Sequence, residues 1–309
     1  DKRINAVTIH RRPRGPVGAI LACPRETATI YPLLKEKLRL ARKRSRRREL
    51  SEAHRQAPDV PFQSSLTGNF RKHQSFKSLF LSAPRDVLVY LPPGYEEQPE
   101  RRFPVLYLHD GQNVFDGATA FTPGDEWQVD EAAQRMIEAG EIEPIIAVGI
   151  YNTGRDRIAE YTPSRDLRYR GSGKGDRYGR FLVEELKPFI DRHYRTAQGS
   201  RNTALCGSSL GGLITLYLGL KYPETFGKLA VVSPAAWWNR RMIVRYVLKQ
   251  PKPDSRIWLD IGTAEGENAL RNVRLLRDAL LRRGWEEGAD FHYMEAENAG
   301  HTESAWAYR

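Results

Sequence analysis

Residues 207–211 read Gly207-Ser208-Ser209-Leu210-Gly211, a G-x-S-x-G pentapeptide. A short apolar run over 203–206 enters it, and a second apolar run, Leu213-Ile214-Thr215-Leu216-Tyr217, leaves it. Strand, tight turn and helix in that order set a serine on a strained elbow with its hydroxyl exposed, as a nucleophile for acyl transfer requires. Glycines at 207 and 211 fit a turn in which a side chain at either place would strike the neighbouring strand or helix. The competing reading is an ordinary strand-to-helix turn that contains a serine.

A serine nucleophile needs a base, the base needs an acid to orient it, and the oxyanion needs donors. In a parallel sheet, ligands gather at the carboxyl ends of the strands, so the partners are sought there. Of seven histidines, His10, His54 and His73 precede the sheet, His193 lies near a helix end, His292 falls inside the last strand, and His109 comes before the serine. His301, in Asn298-Ala299-Gly300-His301 past the last expected strand, is the candidate base and completes the order serine, acid, histidine. The acid is expected in Gly262-Thr263-Ala264-Glu265-Gly266-Glu267, after a strand over 256–261. Glu265 is favoured, and Asp260 inside the strand is the second candidate. Glu267 is expected to open the next helix, where a carboxylate meets the positive end of the dipole. For the oxyanion, the backbone N–H of Leu210 is expected to act with that of Gly111 or Gln112.

Other residues at strand ends suit substrate binding. Trp237 and Trp238 could wall an acyl or aryl pocket, with core packing as the competing role. Asn152 could meet a polar substrate group, with Arg155, Arg157 and Glu160 close by, and a salt-bridged loop competes with that role. Asp110 and Asp116 belong to no compact cluster of ligands, so no metal is expected.

The elements that must hold these residues are legible as runs. Strands are expected over 76–81, 86–91, 103–108, 144–150, 203–206, 228–232, 256–261 and 290–295, and helices over 126–139, 176–194, 239–249 and 267–283. Continuous apolar runs such as Phe103-Pro104-Val105-Leu106-Tyr107-Leu108 fit strands buried on both faces. Strands alternating with helices imply an α/β fold, a mostly parallel central sheet flanked by helices.

The net charge of +11 is unevenly placed: residues 1–75 hold 18 Lys/Arg and 6 Asp/Glu, whereas 76–309 hold 31 and 32. Two domains of unlike character follow, a basic extension over 1–70 and a catalytic domain over 71–309. The extension carries Arg42-Lys43-Arg44-Ser45-Arg46-Arg47-Arg48 at the end of an expected helix over 31–54. Without interleaved aromatics or a nucleic-acid module, a solvated arm is a better reading than nucleic-acid binding. No apolar run approaches the ~20 residues of a membrane span. The cysteines, Cys23 and Cys206, do not make a metal site, and Cys206 is expected to be a buried thiol. A cytoplasmic compartment is favoured, and no oligomeric state is encoded.

Five segments occur together in order: Leu91-Pro92-Pro93-Gly94-Tyr95, Tyr107-Leu108-His109-Asp110-Gly111-Gln112-Asn113-Val114-Phe115-Asp116, Glu160-Tyr161-Thr162-Pro163, Gly207 to Gly212, and Gly300-His301. As a set, they resemble the putative-esterase branch of the α/β-hydrolases, which includes enterochelin-type, esterase D and feruloyl esterases. The resemblance runs from about residue 76 to 309. It implies an α/β-hydrolase sheet, no cofactor, and Ser209 and His301 as nucleophile and base. The function expected is a serine carboxylester hydrolase taking a small-molecule ester. The alternatives are an acyltransferase with the same triad, and a vestigial hydrolase with a nucleic-acid-binding arm.

Overall fold

The computed structural model describes residues 63–309. The helix expected over 31–54, its basic run and Cys23 lie outside the described residues.

Eight strands form one sheet in the order β1-β2-β4-β3-β5-β6-β7-β8. They are β1 Asn69–Phe76, β2 Arg85–Leu91, β3 Val105–His109, β4 Ile146–Ile150, β5 Thr203–Ser208, β6 Lys228–Val232, β7 Arg256–Gly262 and β8 Phe291–Ala296. The pairs β1–β2 and β2–β4 are antiparallel, and every pairing from β4 through β3 to β8 is parallel. The helices are α1 Val129–Glu138, α2 Arg157–Glu160, α3 Gly175–Arg180, α4 Lys187–His193, α5 Leu210–Lys221, α6 Trp238–Lys249, α7 Glu267–Arg282 and α8 Glu303–Ala307. A π-helical stretch, Phe181–Leu186, joins α3 to α4, so the single helix expected over 176–194 is continuous but changes its winding midway.

Alternate side chains of the central strands enter two cores, one on each face of the sheet. Val87, Val89, Tyr107, Val148, Leu205, Val231 and Leu259 join Leu213 and Leu216 of α5 on one face. Leu88, Tyr90, Leu108, Ala147, Cys206 and Val232 meet Phe115, Trp127 and Trp306 on the other. With both faces covered, these strands have no polar side, which is why they read as continuous apolar runs. Helix α5 is buried along nearly its whole length, as a helix directly behind the elbow must be. Burial also pushes the Cys206 thiol up to about 12, so it is an inert, protonated core residue.

Two elements differ from the sequence expectation. Of the strand expected over 76–81, only Phe76 lies in a strand, as the last residue of β1; 77–81 is a loop, in which the Ser78 hydroxyl accepts from Phe80 N–H at 3.0 Å and Leu81 N–H at 3.2 Å and leaves Leu79 exposed. The true first strand, β1, is polar and half-exposed along its edge, so it carries no apolar run, and it crosses position 70. At the start of α6, Asn239, Arg240 and Arg241 adopt positive φ, so the regular helix begins later than position 239.

Candidate active site

Ser209 lies between β5 and α5 with φ 57° and ψ −117°, a conformation costly for any residue with a side chain. Its backbone is clamped by the chain leaving β6: Ser209 N–H donates to Val232 O at 3.0 Å, and Ala235 N–H donates to Ser209 O at 2.8 Å. The hydroxyl makes no capping bond to the helix, which leaves it available. A Cβ on Gly207 would come within 2.8 Å of both the Gly211 backbone and the His109 ring. Position 211 itself has ordinary room, 3.4 Å to His109 Cβ. The tighter neighbour is Gly212, where a Cβ would sit 2.9 Å from Val232 O. Steric demand for glycine therefore falls at 207 and 212 rather than at 207 and 211.

Glu265 and His301 meet although 36 residues separate them: His301 Nδ1 lies 2.7 Å from Glu265 Oε2. Their loops are stitched together by Ala264 N–H to Ala299 O at 3.1 Å and Asn298 N–H to Thr263 Oγ1 at 2.8 Å. The approach is so close that a Cβ on Gly262 would lie 2.2 Å from Ala299 O, so only glycine fits at the end of β7. The other carboxylate oxygen of Glu265 accepts from Ser233 Oγ at 2.5 Å and from Gly262 N–H at 3.0 Å. Burial pushes the Glu265 carboxyl up, but the bonds from His301, Ser233 and Gly262 outweigh it and hold the group below its ordinary value. It is therefore an anion facing the imidazole.

Asp260, the second candidate acid, is fully buried within β7 and is taken up by Ser233 N–H, Trp258 Nε1 and Arg309 Nη1 at 3.1, 2.9 and 3.1 Å. It makes no bond to a histidine. Glu267 stands at the first position of α7, as expected.

The loop after β3 lies against β4. A Cβ on Gly111 would come within 2.4 Å of the Gly149 backbone, so contact with the sheet is what demands glycine there. None of the N–H groups of Gly111, Gln112 and Leu210 has a backbone acceptor among the described residues. Asp110, at φ 57°, is held by Arg157 Nε and Nη2 at 2.8 and 2.6 Å and by Asn152 Nδ2 at 2.7 Å. Asn152 Oδ1 accepts from Gly154 N–H at 2.6 Å, so both ends of that side chain are engaged in the loop. Arg85 and Glu160, both buried, form a two-pronged pair at 2.8 and 2.9 Å. His109 is buried with Nδ1 2.9 Å from Tyr178 Oη, and desolvation pushes it down to about 3, leaving a neutral ring beneath the elbow.

Trp238 is 1% exposed and donates to Ser164 O at 3.0 Å as part of the core, whereas Trp237 is 39% exposed, its ring tilted by 44° and 6.1 Å from that of Tyr169. Of the pair, Trp237 alone presents a face to solvent.

Three further residues contribute to the site. Ser233 accepts from Trp306 Nε1 and Arg309 Nη1 while bonding Glu265. Trp306 sets its ring edge-on to His301, with centroids 4.8 Å apart. Glu303 accepts from Asn113 Nδ2 at 2.9 Å and from Trp127 Nε1, tying the loop after β3 to the helix that follows His301. Burial, with the Asp110 carboxylate nearby, pushes Glu303 up to about 7. For Ser233 the one available cue is a polar residue at the carboxyl end of the strand beside the elbow.

Among the described residues, no three His, Cys, Asp or Glu side chains gather as metal ligands would, and no helix is long and apolar enough to cross a membrane.

A parallel sheet with a strained serine between strand and helix, and a histidine–carboxylate pair at the ends of neighbouring strands, defines the α/β-hydrolase class. Comparison with known proteins agrees. Residues 78–309 match the family described as Putative esterase. The ferri-bacillibactin esterase BesA of Bacillus subtilis is 26% identical over 243 residues, 70% of this chain and 80% of that protein. An endo-1,4-beta-xylanase/feruloyl esterase of Xylanibacter ruminicola is 28% identical over 201 residues, 62% of this chain but only 24% of that longer protein. The solved structure of an IroE-like serine hydrolase from Shewanella oneidensis superposes with a TM-score of 0.64 at 20% identity, covering 78% of each chain. The chain belongs to the Putative esterase family and is a carboxylic ester hydrolase.

Proposed function

We propose that the protein hydrolyses small-molecule carboxylic esters through an acyl-enzyme. Ser209 Oγ attacks the ester carbonyl, His301 Nε2 takes the serine proton and returns it to the leaving alcohol, and Glu265 holds Nδ1–H of His301 and stabilises the imidazolium. The backbone N–H of Leu210 binds the oxyanion together with that of Gly111 or Gln112, and losing one such donor typically costs ~3 kcal/mol of transition-state stabilisation. Water then attacks the acyl-serine by the same proton path in reverse.

The observation that carries the reading is the 2.7 Å contact of a buried, anionic Glu265 with His301 Nδ1. With an anionic acceptor at that distance, the proton is placed on Nδ1 and Nε2 takes the role of base. Relatives named as ferri-bacillibactin and feruloyl esterases support a small organic ester as substrate, and the exposed face of Trp237 suits an aryl or acyl group. The experiment is release of p-nitrophenol from acetate through octanoate esters by wild type and Ser209→Ala side by side. Activity is expected to fall by about 10³-fold or more in the variant, and retention of kcat within tenfold would overturn the proposal.

A further inference from the structure

Arg309 is far from Ser209 in sequence, and neither the family match nor the triad accounts for its position. Its guanidinium is 3% exposed and reaches four separate pieces of the site. Nη1 donates to Ser233 Oγ at 2.8 Å and to Asp260 Oδ1 at 3.1 Å, while Nη2 donates to Gly300 O at 2.9 Å and lies 3.5 Å from Glu265 Oε1. Those contacts fall on the end of β6, on β7, on the acid loop and on the residue just before His301.

Pairing with Asp260 would by itself explain a buried cation. It does not explain the fork, in which the second nitrogen is turned away from Asp260 toward the Gly300 carbonyl and Glu265. Nor does it explain Ser233, whose hydroxyl accepts from Arg309 and so directs its own proton at Glu265. A hydroxyl that accepts on one side and donates on the other transmits orientation, and a planar guanidinium is the side chain suited to fix two acceptors at once.

Resting on the triad reading above, we infer that Arg309, acting through Ser233 and Gly300, is a positioning residue that sets Glu265 and His301 in register for proton transfer. Arg309→Lys keeps the charge beside Asp260 but cannot span both sides of the fork. A misplacement of reacting groups by about 1 Å can cost on the order of 10²-fold in rate. Arg309→Lys and Ser233→Ala are each expected to lower kcat by about 10- to 100-fold with KM nearly unchanged. Both should shift or broaden the downfield proton resonance of His301 Nδ1–H, and the double variant should lose less than the product of the single losses, because both act on one relay.

Values of kcat within threefold of wild type with an unchanged resonance in both variants would overturn the inference, as would a loss expressed only in KM. If Arg309→Lys does not fold, Ser233→Ala decides by the same readouts. Ser209→Ala, assayed alongside, separates the failures. An active Ser209→Ala removes the triad reading itself, whereas an inactive one beside fully active Arg309 and Ser233 variants removes only the role of Arg309.

Discussion

Replacing Glu265 by glutamine reverses the hydrogen-bonding sense of one atom and leaves the side-chain volume almost unchanged. The surroundings decide which atom it is. Oε1 faces Gly262 N–H at 3.0 Å and the Arg309 guanidinium at 3.5 Å, both donors, so the amide oxygen of the new side chain must settle there. The amide NH2 is then forced into the Oε2 position, 2.7 Å from His301 Nδ1. A donor at that place turns Nδ1 into an acceptor and moves the imidazole proton to Nε2, where it blocks abstraction of the serine proton. Losing only a charge-assisted hydrogen bond would cost about 1.5–3 kcal/mol, or roughly 10- to 150-fold. Holding the wrong tautomer in intact geometry costs about 10⁴-fold in kcat, some 5.5 kcal/mol. The larger figure is expected for Glu265→Gln, with KM little changed, in p-nitrophenyl ester hydrolysis by protein whose folding is confirmed by thermal melting. A fall of kcat of less than tenfold would refute the assignment of Glu265 as the orienting acid.

Arg85→Met leaves Glu160 buried without its partner and should cost about 3–5 kcal/mol of stability, read as the urea midpoint, with part of the loss recovered in Arg85→Met/Glu160→Leu. Burial first, and then the neighbouring Glu131, push the Asp130 carboxyl above its unfolded value of about 4, so the folded state keeps a proton the unfolded chain gives up. Wild-type stability is accordingly lost as pH rises from about 4 through the folded pKa, and the advantage of Asp130→Asn in melting temperature should widen between about pH 5 and 9. Trp238→Ala should cost about 3–5 kcal/mol as a cavity in the core. Trp237→Ala should stay within about 1 kcal/mol in stability and raise KM for aryl esters.

The sequence by itself determined what depends on neighbouring residues and on chain order. The central strands β3, β5, β6 and β7 announce themselves because their side chains are mostly apolar, with His109 and Asp260 among the buried polar exceptions. The elbow announces itself because glycine, serine and a following apolar helix are needed within a few positions. Ser209, Glu265 and His301 are legible as candidates from their order and from the rule that sites lie at strand ends. The polar edge strand β1 escapes notice because solvent on its outer side removes the apolar signature. Tertiary structure alone decided which carboxylate meets His301, since Asp260 and Glu265 are five residues apart and only the packing of Ala299 against Gly262 brings one of them to the ring. It alone turned Trp238 inward, engaged Asn152 with Asp110, and carried Arg309 back across the sheet to Ser233. Such contacts join residues 36 to 76 positions apart, and their energy lies in the meeting of two surfaces, of which the local sequence describes only one side.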